Sequence, residues 1–250
     1  MRGLVRMGLL LVLLMPAWGT NAGVVSVAVA SNFKDTLSEL ADRFEEQSGH
    51  TVRLSAASTG KHYAQIRNGA PFDIFLAADA ERPALLVQEG FAVPDSQRTY
   101  AMGRLVFWVP RDENADCRAV LEQGVARVAM ANPRTAPYGL AARQTLAALE
   151  LEEQYAPRTV MGENISQAMQ FVDALAAAGG FVAKSQWLVN PRHENGCAWE
   201  VPAELHDPIR QDMVLLKRGV ENPAALAFLA YMDGADAKAL IAASGYAIEE

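Results

Sequence analysis

Ser55-Ala56-Ala57-Ser58-Thr59-Gly60-Lys61 and, a few residues on, Asn68-Gly69-Ala70-Pro71-Phe72-Asp73-Ile74-Phe75-Leu76-Ala77-Ala78-Asp79 decide how this chain is read. The stretch begins where an apolar run, Val52 to Ala57, stops. Small hydroxylated residues and a glycine follow, and then apolar positions at helix spacing, Tyr63, Ala64 and Ile66. A strand that feeds Ser-Thr-Gly into a helix N-terminus gathers hydroxyls and free backbone N–H groups at one point, an arrangement suited to an anion. The alternative is that Ser58 or Thr59 does no more than cap its own helix.

Outward from this stretch the same grammar repeats. Val24 to Ala30 reads as a buried strand running into Ser31-Asn32-Phe33, and Leu37, Leu40, Ala41 and Phe44 mark a helix that Gly49 stops. Thr51 to Ala57 is a second strand and Asp73 to Ala78 a third, with Asp79 capping a helix over Ala80 to Glu89. Strands alternating with helices predict a parallel α/β sheet. The pattern then restarts: Leu105 to Val109 reads as a strand, and Val128-Ala129-Met130-Ala131-Asn132 echoes Val27-Ala28-Val29-Ala30-Ser31-Asn32. Helices are expected at Tyr138–Glu150 and about Ile165–Ala178, the latter ended by Gly179-Gly180, with short strands at Thr159–Met161 and Phe181–Ala183. Residues 191–208 read as a loop, Ile209–Lys217 as a strand, and Pro223–Met232 and Ala235–Ala243 as closing helices. Two α/β lobes of one kind are the expectation.

The 250 residues, 51% of them apolar, can bury the core of one large domain or two ordinary ones. Residues 1–22 are expected to be a signal peptide. Arg2 and Arg6 supply a basic start, Met7 to Met15 an apolar segment, and Pro16 to Ala22 a small-residue cleavage zone. The apolar run is far shorter than the roughly 20 residues of a membrane span, and Pro16 interrupts it. No cysteine lies near the cleavage zone, so there is no lipoprotein attachment point. An exported, soluble, periplasmic protein is expected.

Without the leader, 20 basic residues face 29 acidic ones, a net charge of −9. That argues against nucleic acid or an anionic membrane as a partner. Any anion pocket here must therefore work through local dipoles, not through a basic field. The two cysteines, Cys117 and Cys197, are exported to an oxidising compartment where a lone pair usually joins; two free thiols are the alternative. Neither has a second cysteine or a histidine at metal-ligand spacing.

In open α/β sheets ligands sit beyond the carboxyl ends of strands, where loops enter helices. Ala30-Ser31-Asn32, Ser58-Thr59-Gly60, Asn132 to Gly139 and Gly162-Glu163-Asn164-Ile165 are such loops, each rich in donors. One of them alone could be an ordinary cap; four across two lobes point to a shared ligand.

The motifs Ala30-Ser31-Asn32-Phe33, Ser58-Thr59-Gly60-Lys61 with Tyr63-Ala64-Gln65-Ile66, Gly69 to Asp79, Pro137-Tyr138-Gly139-Leu140-Ala141-Ala142 and Gly180-Phe181-Val182-Ala183 with Ser185-Gln186 occur in this order. Together they resemble the periplasmic molybdate-binding proteins of ABC-type molybdate transporters. The resemblance covers essentially the whole chain after the leader and is most specific between Ser58 and Asp79. It implies a type II periplasmic-binding-protein fold, α/β and two-lobed, with the ligand cleft between lobes. Lobe 1 would comprise residues 23–103 and 211–250, and lobe 2 residues 104–210. It also implies a monomeric receptor, not an enzyme, that binds molybdate or tungstate and delivers it to a membrane permease. No cofactor is implied, and metal is met only as the oxyanion. Motif by motif, ligand positions fall on Ser31 and Asn32, on Thr59 with Ser58 beside it, on Tyr138, and on Ile165 through its backbone N–H. Some members carry a ligand tyrosine where Ala183 stands here. The missing hydroxyl calls for a compensating donor from Asn32 or Tyr138.

Other readings fit less of the chain. Ser58-Thr59-Gly60-Lys61 matches the Ser-x-x-Lys of acyl-serine enzymes, whose Ser-Asp-Asn and Lys-Thr-Gly elements do not occur here. Gly60-Lys61 lacks the earlier glycine and the following Ser or Thr of a P-loop. Receptors for sulfate, ferric ion or a small organic anion are the nearer alternatives; a ferric site would want several converging tyrosines, and only Tyr63 and Tyr138 lie near the loops. His50, His62, His193 and His206 show no metal spacing and are expected at the surface.

Overall fold

The computed structural model describes residues 22–111 and 116–248; residues 1–21 of the expected signal peptide lie outside them. In the first lobe β1 (Val24–Ala30), α1 (Lys34–Ser48), β2 (Thr51–Ala57), α2 (Thr59–Arg67), β3 (Ile74–Leu76), α3 (Glu81–Gln88) and β4 (Arg98–Gly103) follow one another. Arg104 alone separates β4 from β5 (Leu105–Val109), which opens the second lobe. There α4 (Cys117–Gln123), β6 (Val128–Ala131), α5 (Pro137–Ala148), α6 (Glu152–Tyr155), β7 (Thr159–Gly162), α7 (Ile165–Asp173), β8 (Gly179–Ala183), α8 (Lys184–Leu188) and β9 (Cys197–Glu200) succeed it. The chain then returns through β10 (Ile209–Leu215), α9 (Pro223–Met232) and α10 (Ala235–Ala243).

Two five-stranded sheets result, ordered β2-β1-β3-β10-β4 and β7-β6-β8-β5-β9. The β1–β2, β1–β3, β6–β7 and β6–β8 pairs are parallel; the pairs made by β10 and β5 are antiparallel. The sheets are therefore mixed, not all-parallel as the alternation of strands and helices predicts. The fourth strand of each sheet is the one that crosses from the other lobe. It arrives without the helical crossover that parallel pairing requires. The resemblance of Val128–Asn132 to Val27–Asn32 has a topological basis, since β6 and β1 are the equivalent central strands of the two sheets.

Central strands are covered on both faces, which is why they read as unbroken apolar runs. Val25, Val27 and Val29 pack with Phe33, Leu37, Leu40 and Phe228 on one side of the first sheet, and Ala28 joins Phe75, Ile66 and Leu86 on the other. Truncating such a residue, Leu40→Ala for instance, costs about 2–5 kcal/mol. Gly49, in the left-handed region at φ 71, ends α1 where the sequence places its stop.

Several elements depart from the sequence reading. β4, α4, α6, α8 and β9 are additional, and Gly179-Gly180 opens β8 instead of merely ending a helix. A Cβ on Gly180 would stand 2.7 Å from the Ala129 carbonyl oxygen, so glycine permits the close pairing of β8 with β6. Ile209 and Arg210, assigned by sequence to lobe 2, pair with Gly103 and Met102 in the first sheet, so the second crossing precedes Ile209. Cys117 and Cys197 form a disulfide, Cα atoms 5.3 Å apart, joining the start of α4 to the start of β9. Near the C-terminus Ala247 pairs with Met102, which carries Tyr246 to the junction between lobes.

Candidate functional site

The carboxyl ends of the central strands meet across the cleft, and there Ser31, Asn32, Ser58, Thr59, Tyr138 and Ile165 line one cavity with Ala30, Ala78, Ala136 and Pro137. All six candidates are buried. The cavity is small, about 10 Å³ in volume, and no charged side chain lines it. A larger hollow beside Met102, Glu200, His206 and Pro208 lies at the two crossings between the lobes and is lined by none of the six.

What each polar group is free to do follows from its partners. Ser58 holds the N-cap position of α2, yet its side chain makes no capping bond; its hydroxyl is not spent on its own helix. Thr59, only 1% exposed, accepts at Oγ1 from the Ala78 N–H at 3.0 Å, so its hydrogen remains to be donated. Thr59 and Ile165 are the first residues of α2 and α7, where backbone N–H groups have no acceptor within the helix. Asn164 caps α7 by accepting from the Gln167 N–H at 3.1 Å. Burial pushes the Tyr138 phenol well above its ordinary pKa, so it keeps its hydrogen across the physiological range.

The two lobes touch directly around the cavity. The Gly60 N–H donates to the Thr135 carbonyl at 2.9 Å. Ser166 Oγ and Gln186 Nε2 donate to the Ser31 carbonyl at 3.2 and 3.3 Å. Gly60 is thus required by the opposite lobe: a Cβ there would meet Thr135 Cα at 3.0 Å. Lys61 points away, with only an exposed 3.9 Å pairing to Glu163, and contributes no charge to the cavity.

A two-lobed α/β molecule with a donor-lined cavity between its lobes matches the sequence profile of the bacterial extracellular solute-binding proteins over residues 25–247. The chain belongs to that family. Relatives within it include a molybdate-binding protein of Azotobacter vinelandii, 44% identical over 235 residues, 93% of each chain. Another, from Rhodobacter capsulatus, is 42% identical over 248 residues, covering 99% of this chain and 96% of its own. The solved periplasmic molybdate-binding protein of Azotobacter vinelandii superposes with a TM-score of 0.86 at 38% identity, over 90% of this chain and all of that one.

This solute-binding protein carries polar groups at its cleft that sequence reasoning missed. The Asn32 side chain does not simply face the cavity: Nδ2 donates to Gln211 Oε1 at 2.8 Å and to the Tyr246 hydroxyl at 3.1 Å. Ser166, Ser185 and Gln186 of the second lobe bond the backbone carbonyls of Ser31 and Asn32. His62, expected at the surface, is fully buried between Phe72 and Phe75, with Nε2 3.1 Å from the Val29 carbonyl. Desolvation lowers its pKa, holding it neutral. Helix periodicity places Tyr63 and Ile66 inward but gives no sign that the same helix also buries His62. Among the described residues no group of three or more His, Cys, Asp or Glu is placed to hold a metal ion.

Proposed function

We propose that the chain is a periplasmic receptor that binds molybdate, and tungstate alike, in the cavity between its lobes and delivers it to the membrane permease of an ABC transporter. The observation that carries this reading is the donor set. Four hydroxyls (Ser31, Ser58, Thr59, Tyr138), the Asn32 loop and the N–H groups opening α2 and α7 surround a cavity with no charged side chain in its lining. Both oxyanions are fully deprotonated tetrahedral dianions near neutral pH and only accept hydrogen bonds. A cavity rich in donors and without a carboxylate suits them and is less suited to protonated phosphate, whose O–H wants a strong acceptor. Bonds to a charged partner are worth about 1.5–3 kcal/mol each. About six such bonds reach a Kd below micromolar even after ordering costs. The relatives named as molybdate-binding proteins support the same choice.

On this reading the protein acts as a monomer, catalyses nothing and needs no cofactor; the metal enters and leaves as the oxyanion. Titration calorimetry of the leaderless chain should give one site for molybdate and for tungstate, with sulfate and phosphate at least about a hundredfold weaker, about 2.7 kcal/mol. Sulfate or an organic acid bound as tightly as molybdate would refute the ligand assignment.

A further inference from the structure

Tyr138 lies on α5 in the second lobe, yet its hydroxyl reaches a side chain of the first sheet, Gln211 of β10. Gln211 is 0% exposed. It sits where the pairing of β10 with β4 shifts register, Gln211 facing Ala101 and Asp212 facing Thr99 with Tyr100 as the extra residue on β4. Gly103 leaves the room for this meeting, since a Cβ there would collide with the Tyr138 hydroxyl and the Gln211 amide nitrogen. Resting on the oxyanion reading above, we propose that Gln211 is a positioning residue. Its amide fixes the direction of the hydrogen bonds at the cleft and so reserves the Tyr138 hydroxyl hydrogen for the ligand.

The direction can be followed bond by bond. The Tyr246 hydroxyl has two oxygen neighbours that can take its hydrogen, the Asn32 carbonyl at 2.9 Å and Ser185 Oγ at 2.8 Å. Its own oxygen is left to accept from Asn32 Nδ2 at 3.1 Å, which fixes the Asn32 amide. Asn32 Nδ2 then meets Gln211 at 2.8 Å, and only the oxygen of that amide can accept there. Tyr100 also stands 3.1 Å from this Oε1, but its single hydrogen has the Ala77 carbonyl nearer, at 2.9 Å, so the direction at Gln211 rests on Asn32. The Gln211 nitrogen is thereby turned toward Tyr138, 3.4 Å from the phenol oxygen. An amide nitrogen only donates, so Tyr138 accepts, and its single hydrogen is not spent on Gln211. Turned the other way, Gln211 would take that hydrogen and leave the cavity one donor poorer. Because the bond joins β10 to α5, it forms only with the lobes together.

The titratable groups facing Gln211 are Tyr100, Tyr138 and Tyr246, all held neutral by burial. Asp212 is engaged with Gln97 and Thr99. Two variants therefore separate orientation from bulk. In Gln211→Met the donor to Tyr138 is gone. In Gln211→Glu the ionised carboxylate accepts only and captures the Tyr138 hydrogen, whereas the protonated acid, with one O–H and one C=O, restores the original pattern.

The test is calorimetry of the leaderless chain with molybdate, tungstate, sulfate and phosphate. Gln211→Met should weaken molybdate binding at least about tenfold in the wild-type background, but less than about threefold when Tyr138→Phe is already present. Gln211→Glu should lose at least about tenfold in affinity between about pH 5.5 and 8.5, while the wild type changes less than about threefold. Losses from Gln211→Met and Tyr138→Phe that simply multiply, or a Gln211→Glu profile parallel to the wild type, would overturn the assignment. A wild type that binds none of the four anions removes the oxyanion reading and this proposal together. Should Gln211→Met fail to fold, the pH profile of the nearly isosteric Gln211→Glu decides between these outcomes.

Discussion

Replacing Ser58 by alanine separates a ligand hydroxyl from a helix cap. Ser58 stands at the N-cap of α2, and N-cap serines that bond their helix contribute about 0.5–2 kcal/mol of stability. Here the side chain makes no such bond, so the empty Ser58→Ala protein should unfold within about 0.5 kcal/mol of the wild type. Binding should suffer instead. One hydrogen bond to a dianion is worth about 1.5–3 kcal/mol, a roughly 10- to 150-fold rise in Kd for molybdate. Thr59→Val provides the contrast. It removes the donor to the cavity and also strands the buried Ala78 N–H that Thr59 Oγ1 accepts. That variant should lose about 1–3 kcal/mol of stability as well as affinity, while Thr59→Ser keeps both contacts. Urea unfolding without ligand and calorimetry with molybdate measure the two quantities apart. A Ser58→Ala protein that is destabilised by about 1 kcal/mol and binds normally would show that Ser58 is only a cap.

Three further outcomes are expected. Gly60→Ala places a methyl group against Thr135 at the contact between lobes, so solution scattering with saturating molybdate should give a larger radius than the wild type; an unchanged radius would mean the lobes do not close on this contact. His62 is held neutral in the folded chain, its pKa below the ordinary 6.5. Its contribution to stability is therefore complete above about pH 6.5 and is lost as pH falls toward the folded-state value; the drop in urea midpoint from about pH 7 to about pH 5 should shrink in His62→Gln. The Cys117–Cys197 bridge spans 80 residues of sequence, and its reduction should add two protons to the intact mass and remove about 2–4 kcal/mol of stability.

The fold was legible where local chemistry and burial coincide. β1, β2, α1, α9 and α10 follow from apolar runs, 3.6-residue spacing and a glycine stop such as Gly49. β4 was not legible, because its inward residues Tyr100 and Ala101 are adjacent and the alternation that marks a strand is broken at the register shift with β10. β9 is a short edge strand in a polar stretch, held by pairing with β5 and by the disulfide, neither of which leaves a local pattern. At the site, the loops at Ser31, Ser58 and Ile165 stand out as hydroxyls or donors at helix starts. Gln211 and Tyr246 do not, since each lies far along the chain from the loop it serves; Ser185 stands in a quoted motif, but its bond to the Asn32 carbonyl leaves no local sign. Only the folded geometry brings residue 211 within reach of residues 32 and 138. For the same reason the sequence hides the second duty of Thr59, its bond to Ala78.

Sulfate tests the proposed reading hardest, because it shares the charge, the tetrahedral shape and the acceptor-only chemistry of molybdate. No arrangement of donors can tell the two apart by hydrogen-bond type, so discrimination must come from distance. Direct contacts between the lobes set that distance. Gly60 to Thr135, Ser166 to Ser31 and Gln186 to Ser31 are protein–protein bonds that stop the halves at a fixed approach. A smaller anion cannot pull them closer, since the Gly60 nitrogen already stands 2.9 Å from the Thr135 carbonyl oxygen, a full hydrogen-bond approach. Its oxygens would lie beyond the roughly 2.7–3.2 Å over which N–H and O–H bonds are strong, on at least one wall of the cavity. A larger anion would have to prop the lobes apart and forfeit the same three bonds. On the proposed reading, walls that rest on each other in this way select by size with neutral groups alone. That is the form of selectivity a chain of formal net charge −7 can use, since it has no basic field to offer an anion.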